Sequence, residues 1–312
     1  MKVLVTGGLG HIGSKLIREY AKRTDVELIK ILDNLSTQRY PSLFNLPEKK
    51  FEFIEGDIMD LNLLRKSMKD IDIVIHLASV TDAPSTINNP ELTNKVIFEG
   101  TWNTVNAAMH AKVNRFLYAS TTSVYGEAEG MVDENVPEAL YKPASPYAEA
   151  KRKTEKLLQE ISKETSFPII VLRKGTIFGT SIGMRFHTAI NKFCYLAAMN
   201  KPLTVWDSAL ESKRPYLGLN DCIQAYRFFE THGQSGEVYN VVTKNYEMKE
   251  IIETIQRVIP EVKVTITKSP LLNQKPYHVS DEKIRQLGFT PSDDLYENMK
   301  ETIELFKGIK NP

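Results

Sequence analysis

Cysteine is scarce in this chain of 312 residues, with only Cys194 and Cys222 present. Two isolated thiols build no disulfide framework, so the chain reads as one suited to a reducing cytoplasm. The six histidines lie far apart and no His/Cys set has ligand spacing, which argues against a metal site. Excess charge is lacking too. A net charge of +1 gives no bulk attraction to nucleic acid or to an anionic membrane. No apolar run approaches the roughly 18 residues that span a bilayer. The first residues enter Val3-Leu4-Val5 without the charged region, apolar stretch and cleavage site of a signal peptide. The expected location is cytoplasmic.

What is present is ordinary for a globular protein: 42% hydrophobic and 25% charged residues, in a chain long enough to bury a sizeable core. Short runs rich in Val, Ile, Leu and Phe predict buried strands at 3–6, 27–32, 51–54, 73–77, 116–119 and 169–172. Helical patterns at 12–23, 61–68, 93–111 and 147–163 alternate with them. This alternation predicts an α/β fold, a doubly wound parallel sheet of the Rossmann type. From about residue 174 the pattern loosens. Helices are expected around 188–199, 221–230 and 295–307, and strands at 203–206 and 238–242. The division expected is a nucleotide-binding unit over 1–173, with a return of 217–243 to its sheet. Residues 174–216 and 244–312 then form a smaller α/β substrate-binding region.

The segment Thr6-Gly7-Gly8-Leu9-Gly10-His11-Ile12-Gly13 follows the first strand and opens a helix. Glycines at 7, 10 and 13 allow a tight turn and close approach to a pyrophosphate, and the helix start offers free N–H groups. Gly7, Gly10, His11, Ile12 and Gly13 are the expected cofactor contacts. Asp33 ends the second strand 20 residues after Gly13. A carboxylate there suits the ribose hydroxyls of NAD and repels the 2′-phosphate of NADP, although Arg39 leaves NADP open. The alternative is that Asp33-Asn34 only starts a turn.

Tyr147 and Lys151 form a Tyr-x-x-x-Lys pair on one helical face. An ammonium close to a phenol lowers its pKa and fits it for proton transfer. An amphipathic surface helix would give the same spacing. Upstream, Ser120-Thr121-Thr122-Ser123-Val124-Tyr125-Gly126 ends a predicted strand, where its hydroxyls could reach a reacting oxygen or merely satisfy their own turn.

These segments, with Gly56-Asp57-Ile58, His76-Leu77-Ala78-Ser79, SPYAEAK at 145–151 and KRPYLGLNDC at 213–222, resemble the nucleotide-sugar epimerase/dehydratase branch of the extended short-chain dehydrogenases. The likeness covers the chain to about residue 225 and is weaker beyond. It implies NAD as cofactor and a nucleotide sugar as substrate. Tyr147 would be the acid/base, Lys151 its activator and a ribose ligand, and Thr121 the third catalytic residue. Asp57 would hold the adenine with Ile58 packed on it. Asn34, Leu77, Ala78 and Ser79 would complete the cofactor path. Arg214 would bind the substrate diphosphate, or be a plain surface arginine. Thr81, Thr122, Thr176, Arg185, Asn191 and Tyr277 are the other expected substrate contacts. Lys275 could replace an arginine that the family carries late in the chain. The resemblance also implies a homodimer through the helices at 93–111 and 147–163.

The family's 4,6-dehydratases carry Asp-Glu after the catalytic Thr, and here those positions are Thr122 and Ser123. Hydroxyls are poor second acids and bases. The expectation is therefore 4-epimerisation of a UDP-sugar. A dehydratase, decarboxylase or reductase is the alternative enzyme, and a non-catalytic NAD-binding sensor or scaffold is the alternative of another class.

Overall fold

The computed structural model describes residues 1–47, 49–81, 86–126, 128, 130–268 and 277–309. The first half runs β1 (Lys2–Thr6), α1 (His11–Ala21), β2 (Leu28–Asp33), β3 (Phe51–Glu55), α2 (Leu61–Ser67) and β4 (Ile73–His76). Then come α3 (Pro90–Asn94), α4 (Gly100–His110), β5 (Arg115–Thr121), β6 (Gly130–Val132), α5 (Pro146–Thr165) and β7 (Ile169–Lys174). The second half adds β8 (Thr176–Phe178), α6 (Ala189–Ala198), β9 (Leu203–Trp206), β10 (Lys213–Gly218), α7 (Leu219–Phe228) and β11 (Val238–Val241). The chain ends through β12 (Lys244–Glu247), α8 (Met248–Val258), β13 (Val264–Thr267), β14 (Tyr277–Val279), α9 (Glu282–Gln286) and α10 (Leu295–Glu304).

Seven strands form one parallel sheet in the order β11-β7-β5-β4-β1-β2-β3. This is the expected doubly wound Rossmann sheet. Its strands are apolar on both faces because helices cover both. Along β1, Val3 and Val5 pack toward α1 and α7, while Leu4 packs on the other face with Leu158 of α5. A third cluster joins Phe193, Val205, Ile251, Ile255 and Met299 outside that sheet.

The carboxyl edge of the sheet is where the glycine turn, the hydroxyl loop and the start of α5 meet, as open α/β sheets place their ligands. The second half reaches that edge too. Strand β14 pairs with β6 in parallel, bringing Tyr277 beside the loop after β5.

Two elements differ from expectation. The helix expected at 93–111 runs from Pro90 to His110 and contains a π turn at Lys95–Glu99, with helical backbone across both joins. Beyond it, Gly100 packs so closely on Ile58 that a Cβ would stand 2.4 Å from Cδ1. Helix α8 was not anticipated, although Ile251, Ile252 and Ile255 give it a buried face and Glu247 and Glu250 a reciprocal capping box.

Candidate active site

Gly7 has φ +67, and a Cβ on it would lie 2.6 Å from the Ala78 nitrogen. Gly13 meets the Gly8 backbone just as closely, so α1 seats directly on the turn. Gly10 caps α1 with no side-chain hydrogen bond, and the first turn carries no acid. The helix start is thus open to phosphate. Asp33 accepts from the Leu9 nitrogen at 3.1 Å and the Leu35 nitrogen at 3.0 Å, so it braces the turn from the end of β2. Asn34 donates to Asp57 at 2.9 Å, joining the segments that follow β2 and β3. Ile58 is buried, while Ile12, Leu77, Ala78 and Ser79 are half-buried. This cradle fits a dinucleotide. The His11 imidazole faces elsewhere: it is buried and bonds the Gly179 carbonyl at 2.9 Å, and burial pushes its pKa down to about 3.

Ser145 caps α5 by accepting from the Ala148 nitrogen, and Pro146 opens the first turn. Tyr147 and Lys151 follow one turn apart. Thr121, the last residue of β5, hydrogen-bonds Tyr147. The structure therefore brings Thr121, Tyr147 and Lys151 together. The expected electrostatics need correction. Burial raises the Tyr147 pKa, and the cation opposing it is Arg185, assisted by the Thr121 bond. Lys151 stands 6.0 Å from the phenol ring centroid and donates to the Ala119 carbonyl at 2.7 Å. Burial, with Lys174 as a second cation, pulls Lys151 down to about 7.

The segment after β8 folds back on the glycine turn. Ser181 donates to the His11 carbonyl at 2.8 Å, and the Gly183 nitrogen donates to Ser14 at 2.9 Å. A Cβ on Gly183 would stand 2.3 Å from the Leu9 oxygen. Arg185 then reaches across to the Thr81 hydroxyl. Asn191 corrects its expectation of touching substrate. It is fully buried, accepts from the Gly179 nitrogen at 3.2 Å and donates to the Arg185 carbonyl at 3.1 Å, so it holds the two ends of this segment.

Tyr277 is likewise buried, with its hydroxyl donating to the Thr122 carbonyl at 3.2 Å. The Arg214 guanidinium lies 5.4 Å from its ring centroid. Arg214, Tyr277 and Thr122 thus form one wall, with Tyr277 as its buttress. Thr176 is exposed at the start of β8. Lys275 lies outside the described residues.

Sequence reasoning passed over three groups. His76, fully buried, accepts from the Thr6 hydroxyl at 2.6 Å and donates from Nε2 to Thr101 at 2.9 Å, because Thr101 gives its own proton to the Ile97 carbonyl. Thr6 also accepts from the Ala78 nitrogen at 3.4 Å, so this relay positions the loop after β4. Glu155 and Arg173 pair beneath the site. Lys174 ends β7 beside Thr121. For His76, Arg173 and Lys174 the signal available was a polar residue within or ending a buried apolar run, whereas Glu155 lies in a charged helical stretch that gives no such signal.

The parallel order, the glycine turn and the Thr/Tyr/Lys group define an extended short-chain dehydrogenase/reductase. The chain belongs to the NAD dependent epimerase/dehydratase family, which it matches over residues 3–242, and its cofactor is NAD. Human dTDP-D-glucose 4,6-dehydratase is 30% identical to it over 98% of this chain and 90% of that protein. An uncharacterized UDP-glucose epimerase of Bacillus subtilis is 31% identical over 72% of this chain and 71% of its own. The crystal structure of Bacillus cereus UDP-glucuronic acid 4-epimerase, in complex with UDP-glucuronic acid and NAD, matches with a TM-score of 0.84 at 26% identity, covering 98% of this chain and 99% of that one.

Proposed function

We propose that this enzyme is a nucleotide-sugar 4-epimerase acting on a UDP-sugar through a transient 4-keto sugar. Bound NAD supplies hydride exchange with the sugar carbon. The residues at 7, 10–13, 33, 34, 57, 58 and 77–79 hold it. Tyr147 takes the proton of the reacting hydroxyl and returns it, Thr121 orients that oxygen, Lys151 holds the ribose, and Arg185 supports the phenolate. Arg214 takes the substrate diphosphate, with Thr81, Thr122, Thr176 and Arg185 around the sugar.

The observation that carries this reading is Thr122-Ser123 directly after Thr121. Neither residue offers a carboxyl group to drive loss of water. A second reading, 4,6-dehydration, is favoured by the identity with the human dehydratase. Incubation with UDP-, dTDP-, GDP-, CDP- and ADP-sugars, read by mass spectrometry and NMR, separates the two. Epimerisation gives a product of unchanged mass without added NADH, and dehydration gives one lighter by water.

The same reading includes a homodimer. Leu92 and Trp102 are exposed on the surface formed by α3 and α4, and Pro90, Asn94, Pro146 and Lys153 line a groove there. Sedimentation at micromolar concentration should give twice the chain mass. It also includes a division of labour in which 1–173 with 217–243 binds the cofactor and the remainder binds substrate. Among the described residues no helix is long and apolar enough to cross a membrane, and cytoplasmic action fits the reading.

A further inference from the structure

The epimerase roles leave Lys174 unused. It is the last residue of β7, registered opposite Thr121 of β5 and Val241 of β11. It therefore stands at the carboxyl edge of the sheet, one strand from the hydroxyl that touches Tyr147. Its side chain is half-buried, with the ammonium 5.7 Å from the Tyr226 ring centroid. Among the described residues it makes no hydrogen bond and no ion pair. The charged groups that share its field are Lys151 and Arg185, both cations, and its other polar neighbour is the Cys222 thiol, kept neutral by burial. Glu155, the carboxylate that acts on Lys151, is committed to Arg173, Arg152 and Ser120. Burial and this crowding bring Lys174 down to about 8.

A partly buried ammonium among cations is unfavourable until something supplies negative charge. The cofactor pyrophosphate is too distant. Its glycine turn follows β1, and β7 is three strands away in the order β1-β4-β5-β7, about 14 Å at about 4.8 Å per strand. The nicotinamide of NAD⁺ is itself cationic and adds repulsion. The substrate diphosphate is taken by Arg214 in the reading above, which leaves the sugar, and the sugar must lie against Tyr147 to exchange its proton.

We propose that Lys174 recognises a carboxylate on the sugar, so that the substrate is a nucleotide-linked uronic acid. This rests on the nucleotide-sugar reading above. A carboxylate on the carbon after C5 lies within a sugar's width of the hydroxyl at C4, beside the Thr121–Tyr147 pair. Lysine suits the task because an ammonium is a point charge on a flexible four-carbon stem. It can follow the carboxylate as the keto sugar turns its other face to the cofactor.

The test is calorimetric titration of the holoenzyme with UDP-glucuronic acid against UDP-glucose, and with the dTDP-linked pair. Wild type, Lys174→Met and Lys174→Arg are compared. Wild type should bind the uronic acid about tenfold tighter or better, as a charge-assisted hydrogen bond implies. Lys174→Met should lose that preference, and Lys174→Arg should retain most of it. Equal or tighter binding of the neutral sugar by wild type overturns the proposal, and so does a preference undiminished in Lys174→Met. Turnover of the same ligands separates this idea from the epimerase reading. Uronic-acid preference without an epimeric product overturns only the reaction, conversion of neutral sugars without acid preference overturns only the role of Lys174, and binding of neither pair overturns both.

Discussion

Glu155 and Arg173 are paired at 2.8 Å in the floor of the site, both essentially inaccessible to solvent. The carboxylate also accepts from Ser120 at 2.5 Å, and the guanidinium donates to Tyr125 at 3.0 Å and Tyr141 at 2.9 Å. Ser120 precedes Thr121, Arg173 precedes Lys174, and Glu155 lies one turn beyond Lys151. One pair thus ties β5, β7 and α5 together directly under the reacting groups. Burial alone would raise the Glu155 pKa, yet Arg173, Ser120 and Arg152 together outweigh it and hold the carboxyl below its ordinary value. Glu155→Gln leaves Arg173 buried without its counter-charge, which costs about 3–5 kcal/mol. Denaturant titration should show that loss.

Tyr147→Phe removes the proton carrier and keeps the ring in place. Turnover should fall about 10²–10⁴-fold, the usual worth of a positioned acid/base. The melting temperature and the NAD content of the purified protein should stay near wild type. Near-normal turnover would mean the proton takes another route.

Asp33 braces the glycine turn through two backbone nitrogens and faces Arg39. Asp33→Ala removes a charged acceptor and the repulsion toward a 2′-phosphate. NAD affinity should drop about tenfold or more, the scale of a charge-assisted hydrogen bond, and the margin of NAD over NADP should narrow. Cofactor titration by fluorescence reads both.

His11 and His76 are held neutral, each with its pKa pushed from 6.5 down to about 3 by burial. The unfolded chain takes up protons near 6.5, whereas the folded chain does so only near 3. Their share of stability is complete above pH 6.5 and is lost as pH falls from there toward 3. Melting temperature should decline across that window. In His76→Asn the decline should be shallower, with a lower melting temperature at pH 7 because the relay from Thr6 to Thr101 is broken.

The parallel sheet and the glycine turn were legible because each strand carries its own apolar run, and because Gly7, Gly10 and Gly13 satisfy local steric demands. The Tyr147 and Lys151 pair was legible through its spacing on one helix, whereas Thr121 was singled out only by the family resemblance of its segment. Helix α8 was readable from Ile251 and Ile255 but lay in a stretch of short, irregular strands that masked its period. The role of Asn191 was not readable. Its amide is consumed by backbone groups of Gly179 and Arg185, and only the folded path of that segment decides this. The source of charge on Tyr147 was misjudged for a similar reason: Lys151 is drawn to the Ala119 carbonyl, and Arg185 arrives from a distant part of the chain.

The most direct test of the account follows a deuterium placed at C4 of the UDP-sugar that the enzyme converts, read by NMR of the product. Epimerisation removes and restores the same hydride, so the account predicts a product of unchanged mass with the label still at C4 and inverted configuration there. A product lighter by water, with the label moved to C6, would contradict it and assign Thr122 and Ser123 a part in elimination that their hydroxyl chemistry does not suggest.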